Sequence, residues 1–139
     1  MHHLNVEPVT IEGRIRIPYR WPAGRVGGQF LYLLQTEGRL LGLRCPQCKK
    51  VTVPPRPRCL TCKVSCEDWV PVGPEGIVTT WTQSGPHTFA LIQLEEANTA
   101  LLHYLIETKQ PQSGMRVTAV LQKDRHGLIT DLAGFRPVR

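Results

Sequence analysis

Four of the chain's five cysteines fall in two pairs with the same internal gap, Cys45-Pro46-Gln47-Cys48 and Cys59-Leu60-Thr61-Cys62, with ten residues between the pairs. A gap of two lets one tight turn bring both sulfurs to a single ion, with the turn's N–H groups aimed at them to favour the thiolate form. Two such turns supply a tetrahedron of sulfurs with Zn–S distances of about 2.3 Å. The protein then fills all four positions and leaves no place for water, so the chemistry predicted is structural Zn2+ binding rather than catalysis. An odd cysteine count with paired spacing argues for metal over disulfides and for reducing surroundings. Iron in a rubredoxin-like centre is the rival metal. A redox role wants glycine after the second cysteine and an apolar cover, whereas Lys49 and Lys50 follow here, with Arg56, Arg58 and Lys63 nearby. Cys66, four residues past Cys62, reads as a free thiol, buried or facing solvent.

The same segment is rich in cations. Pro54-Pro55-Arg56-Pro57-Arg58 stiffens the connection between the pairs and presents two guanidinium forks suited to phosphate or carboxylate. With Lys49 and Lys50 these arginines are candidate phosphate contacts, those of coenzyme A among them, and a solvated loop explains the segment equally well. The formal charge is +6, and four thiolates with one zinc ion bring it to about +4. A mildly basic surface suits nucleic acid or coenzyme A, and solubility alone explains it equally well.

No constellation of comparable specificity supports catalysis. The histidines are His2, His3, His87, His103 and His126, in no catalytic spacing. His103 lies in a strand pattern, where a packed or half-exposed residue is expected. Ser84-Gly85-Pro86-His87 carries a hydroxyl and an imidazole but has the signature of a turn. No nucleophile elbow, phosphate-cradling glycine loop or isolated carboxylate pair is found. No catalytic residue is assigned.

The elements that must position the cysteines can be read from periodicity. Residues 1–23 are extended and interrupted by Pro8, Gly13, Pro18 and Pro22, with alternation over Thr10–Pro18. They read as an edge strand or an arm, lying either on a partner or on the chain's own domain. Val26, Phe30, Leu33 and Leu34 recur at helical spacing over residues 25–37, and Gly38 stops the helix. The run Phe30–Leu34 makes that helix apolar on more than one face, more than so small a core can bury, which predicts that part of the helix packs on another protein chain. Five strands follow at intervals of about ten residues: Gly76–Thr82, Thr88–Leu94, Thr99–Glu107, Met115–Lys123 and Leu128–Phe135, the last two joined by a hairpin turn at Asp124–Gly127. The expected organisation is mainly β: an arm and short helix over 1–39, a zinc ribbon over 40–70, and a five-stranded barrel of the OB type over 71–139. No apolar run is long enough for a membrane span and no signal peptide is read at the N-terminus, so a soluble, cytoplasmic protein is expected.

The ordered combination of a helix bearing Phe30, Gly38, Leu40, a Cys-Pro-x-Cys turn, Pro54-Pro55-Arg56 before the second cysteine pair, Trp69, a Gly76-x-Val78 strand, Gly114-Met115-x-Val117 and a closing Phe135-x-Pro137 resembles the DUF35 family. In that family a rubredoxin-like zinc ribbon is fused to an acyl-CoA-associated OB fold. The resemblance spans about residues 28–138. It implies a small accessory subunit in a hetero-oligomer with a thiolase-like catalytic subunit, which itself supplies the catalytic cysteine and histidines. The coenzyme A or acyl-CoA site is then shared with that partner. The start Ile15–Trp21 looks like the small subunits of degradative thiolases, among them one acting on an aromatic acylsuccinyl-CoA. The departure from the pattern is Lys49, where glycine is usual. A single-stranded nucleic-acid module is the second reading. It wants stacking aromatics on a barrel face, and the barrel segment offers Trp81, Phe89, Tyr104 and Phe135.

Overall fold

The computed structural model describes residues 5–138. His2, His3 and the first residues of the signal-peptide reading lie outside them. The arm, from residue 5 to 23, is exposed along its length and forms no secondary structure. It ends at helix α1, Gly24–Glu37. Gly38 closes that helix at φ 63, its N–H bonding Leu34 O at 3.1 Å while Arg39 N–H reaches Leu33 O at 3.4 Å. This left-handed step is one that glycine takes without a Cβ clash. The chain's own core covers one side of the helix. Phe30 and Leu34 are buried, Leu31 and Leu33 are half-buried, and Tyr32 is 58% exposed. One apolar stripe fits a helix lying on a small globule, and the remaining apolar side chains stay at its margins.

Strands β1 (Leu41–Arg44), β2 (Val51–Thr52) and β3 (Asp68–Pro71) form an antiparallel sheet in the order β2-β1-β3. Strands β4 (Glu75–Ser84), β5 (His87–Leu94), β6 (Ala100–Leu105), β7 (Arg116–Leu121) and β8 (Leu132–Pro137) close a barrel in the order β4-β5-β6-β8-β7. Its pairs are antiparallel except the single β6–β8 contact at Leu105 and Phe135. Counted within the barrel this is the 1-2-3-5-4 closure of the OB type. The fold is thus mainly β with one helix, and among the described residues no helix is long and apolar enough to cross a membrane.

The last strand departs from expectation. Residues 129–131 are not extended, because Asp131 accepts hydrogen bonds from the N–H groups of His126 and Gly127 at 2.8 Å and Leu128 at 3.3 Å. That cradle turns Ile129–Asp131 into a 3-10 helix and moves the strand to Leu132–Pro137. The expected tight hairpin at Asp124–Gly127 is instead part of a longer loop. Arg125 anchors it by donating to Gln35 O on α1 at 2.7 Å.

Ribbon and barrel share one core. Phe30, Leu34, Leu40, Val51, Val53, Val70 and Val72 pack with Val78, Ile92, Leu94, Val117, Leu132 and Phe135. Gly42 on β1 permits the close approach, since a Cβ there would stand 2.7 Å from both Thr52 O and Val51 Cγ1. The outer edge of β2 is sealed by the β5–β6 connection. Asn98 Oδ1 accepts from Val51 N–H at 2.8 Å, and Asn98 N–H donates to Val51 O at 2.8 Å. The Thr99 hydroxyl accepts from Val53 N–H at 2.9 Å and donates to Val53 O at 3.1 Å. A two-residue edge strand that would leave backbone groups orphaned is thereby completed by the barrel.

Candidate metal centre

Each cysteine pair sits on a knuckle, and the two knuckles are built alike. In the first, Cys45 N–H donates to Lys50 O at 2.9 Å and Lys49 N–H to Cys45 O at 3.0 Å. In the second, Cys59 N–H donates to Val64 O at 2.9 Å and Lys63 N–H to Cys59 O at 2.9 Å. The turn demands a left-handed residue after the second cysteine. Lys49 and Lys63 occupy it at φ 65 and φ 60. The missing glycine therefore leaves the turn intact and a strained lysine in it. Lys49 also donates from Nζ to Pro46 O at 2.8 Å.

The sulfurs of Cys45, Cys48, Cys59 and Cys62 all lie within 4.8 Å of one another. A tetrahedron with metal–sulfur bonds of about 2.3 Å has edges of about 3.8 Å, and the Cys48 and Cys59 sulfurs are 3.7 Å apart. The backbone aims at the first sulfur of each knuckle. Gln47 and Cys48 N–H groups lie 3.4 and 3.5 Å from Cys45 Sγ, and Cys62 N–H lies 3.4 Å from Cys59 Sγ.

The electrostatics without a cation are uneven. The Cys48 amide, against the opposing effect of burial and with help from the Gln47 amide, draws the Cys45 thiol down to about 6. The Cys62 and Thr61 amides lower that of Cys59. Burial, with the neighbouring sulfurs of Cys48, Cys45 and Cys59, pushes Cys62 up to about 12. Four thiolates cannot coexist here unless a cation offsets them. The donor set fits a closed-shell dication bound by sulfur alone, which would lock the two knuckles together and leave no coordination position for a substrate.

The knuckles rest on Leu43, which with Cys45, Cys59 and Cys66 forms a small buried cluster flanked by Val26, Val64 and Trp69. Cys66 is buried in this support, outside the four-sulfur group. Burial raises its thiol above the ordinary range, which fits an inert packing role.

Lys49, Lys50, Arg56 and Arg58 are all exposed on the ribbon. Among the described residues none forms an ion pair, and residues 45–66 contain no Asp or Glu. The histidine that sequence spacing left as packed or half-exposed, His103, is buried with Nε2 2.6 Å from Leu132 O and its ring edge-on to Phe135. Burial holds its pKa below the ordinary value. The barrel aromatics are divided between core and surface. Phe135 fills the core, Phe89 and Tyr104 pack on each other at 5.0 Å, and Trp81 is 39% exposed. The junction residues Asn98 and Thr99 carry no local signal for their role, because their partners lie more than forty positions away.

Residues 36–65 match the family described as ChsH2, rubredoxin-like zinc ribbon domain. Among solved structures the chain is similar to a protein of unknown function from the DUF35 family of Sulfolobus solfataricus, at 25% identity and TM-score 0.60, over 70% of this chain and 78% of that one. It is also similar to a chain of the Ltp2-ChsH2(DUF35) aldolase, at 25% identity and TM-score 0.60, over 84% of this chain and 98% of that one. No curated protein sequence matches it. The likeness to DUF35 proteins drawn from the motifs is thus borne out both in the ribbon and in the fold.

Proposed function

We propose that this DUF35-like chain is a zinc-bearing, non-catalytic subunit of a thiolase-like enzyme that makes or breaks carbon–carbon bonds in coenzyme A thioesters. The observation that carries this reading is the match to nearly the whole length of a chain from an aldolase that pairs Ltp2 with ChsH2(DUF35). The site chemistry supports it. Four sulfurs around one ion make a rigid clamp, and His103, the buried imidazole, is already committed to a backbone carbonyl. The partner supplies the reacting groups, while this chain stabilises the partner and helps frame its acyl-CoA site. Lys50, Arg56 and Arg58 stand free to meet the coenzyme A phosphates, and Lys49 would join them by releasing Pro46 O.

Co-expression with thiolase-type subunits of the same genome tests the reading. A complex is expected, with one zinc ion per copy of this chain. The catalytic subunit should lose turnover or thermal stability when this chain is omitted. Equal turnover and equal stability without it would refute the reading. In the complex, Arg56→Ala and Arg58→Ala should each raise KM for the acyl-CoA by about tenfold with kcat held, as expected for one lost charge-assisted hydrogen bond.

A further inference from the structure

The arm carries two periodic patterns in register. From Val9 to Trp21 the odd positions are apolar: Val9, Ile11, Ile15, Ile17, Tyr19 and Trp21, with Gly13 between. Their exposures run from 66% at Tyr19 to 91% at Ile15. The even positions carry Arg14, Arg16 and Arg20 against one carboxylate, Glu12. Tyr19 and Trp21 stack at 4.6 Å with their rings within 17° of parallel, as two side chains on one face of an extended chain do. Laid out as a strand, this segment would present an apolar face and a mainly cationic face, and its side chains are exposed in its own fold.

The second pattern concerns the backbone. In an extended chain the N–H and C=O of one residue point to one edge and those of the next residue to the other. Proline removes a donor. Pro8, Pro18 and Pro22 are all at even positions, so every gap falls on the same edge. The odd edge keeps an unbroken ladder of N–H and C=O groups. One edge is blunted and the other is complete, which is the design of a strand that pairs on one side only.

We propose that the arm adds as an edge strand to a sheet of the catalytic partner, pairing through its odd residues. Its isoleucines and aromatics would lie on an apolar floor, and its arginines would face carboxylates. This rests on the subunit reading above and names how the two chains join. A second copy of this chain is a poor host. Its free edges are short: the four residues of β3, Thr79–Ser84 of β4 beyond its pairing with β7, and Ala100–Tyr104 of β6. Its net charge of +6 would also oppose the arm's arginines. The host is therefore a different polypeptide, with a longer open edge and an acidic border.

Residue-resolved amide exchange on the labelled full chain, alone and in complex with the thiolase-type subunit, tests this. In the complex the amides of Val9, Ile11, Ile15, Ile17 and Tyr19 should exchange far more slowly than those of Thr10, Glu12, Arg14 and Arg16. Gly13→Pro, which cuts the complete edge without removing a side chain, should weaken the complex by about tenfold, the effect of one lost hydrogen bond. Thr10→Pro, on the blunted edge, should leave affinity within about twofold. Uniform exchange along the arm in a complex that still forms would overturn this inference alone. So would protection of the chain by itself at doubled mass, which assigns the arm to a second copy. Failure of the full chain to associate with any catalytic subunit would overturn the parent reading and this one together.

Discussion

Thr99→Val removes one oxygen and leaves the side chain's shape in place. That oxygen serves both Val53 N–H and Val53 O, and Val53 is 2% exposed. Two buried backbone groups would lose their partner at once, at about 1–3 kcal/mol each. Thr99 is itself half-buried, so water can reach part of the site, and Asn98 still holds Val51. The expected loss is about 2 kcal/mol. For a chain of this size that is a fall in Tm of roughly 6–10 °C. The measurement is urea unfolding of the metal-loaded protein with zinc in excess, so that metal loss does not contribute. Thr99→Ser, which keeps the hydroxyl, should cost less than about 1 kcal/mol. Thr82→Val, on an exposed stretch of β4, should be near neutral. If Thr99→Val and Thr99→Ser both unfold within about 0.5 kcal/mol of the parent, the ribbon is not joined to the barrel through this hydroxyl, and the account of the junction is wrong.

Elemental analysis of the reduced protein should find one zinc ion per chain. Cys48→Ser or Cys62→Ser should abolish it and unfold the ribbon, whereas Cys66→Ser should leave the metal content unchanged. Lys49→Gly relieves a left-handed lysine and should raise stability by about 0.5–1 kcal/mol after allowing for the freer unfolded chain, a gain that thermal unfolding would register. Stability should be full above the ordinary histidine value of 6.5 and fall as pH drops below it, because His103 stays neutral in the fold while the unfolded chain takes up a proton. His103→Leu should flatten that limb of the curve. Below the ordinary carboxylate value of 3.8 a second decline is expected from Asp131, whose pKa is lowered despite burial by the amides of His126, Gly127 and Leu128.

The cysteine knuckles and the first four barrel strands were legible because each is encoded locally, in a two-residue gap or an alternating run. The end of the chain was misplaced because Leu128–Phe135 alternates well enough for a strand, while the carboxylate of Asp131 gathers three nearby amides and curls the backbone first. The helix was legible from its spacing and its Gly38 stop, and its run of large side chains exceeds what one stripe can bury, which leaves Tyr32 in solvent. Asn98 falls between the strands read at Thr88–Leu94 and Thr99–Glu107, with no role legible there. Its service to Val51 depends on two segments meeting in three dimensions, and no window of sequence contains both.

Sealing β2 against the barrel has a thermodynamic consequence for assembly. Knuckles, sheet and barrel present themselves to another molecule as one body already in its final form, so docking them immobilises few internal degrees of freedom. The ordering entropy of association is then concentrated in the extended N-terminal segment, at about 1–2 kcal/mol for each residue that becomes fixed. Shortening that segment would lower the entropic cost and the contact energy together, so affinity would respond less than enthalpy, and calorimetry would register the change more clearly than a binding isotherm.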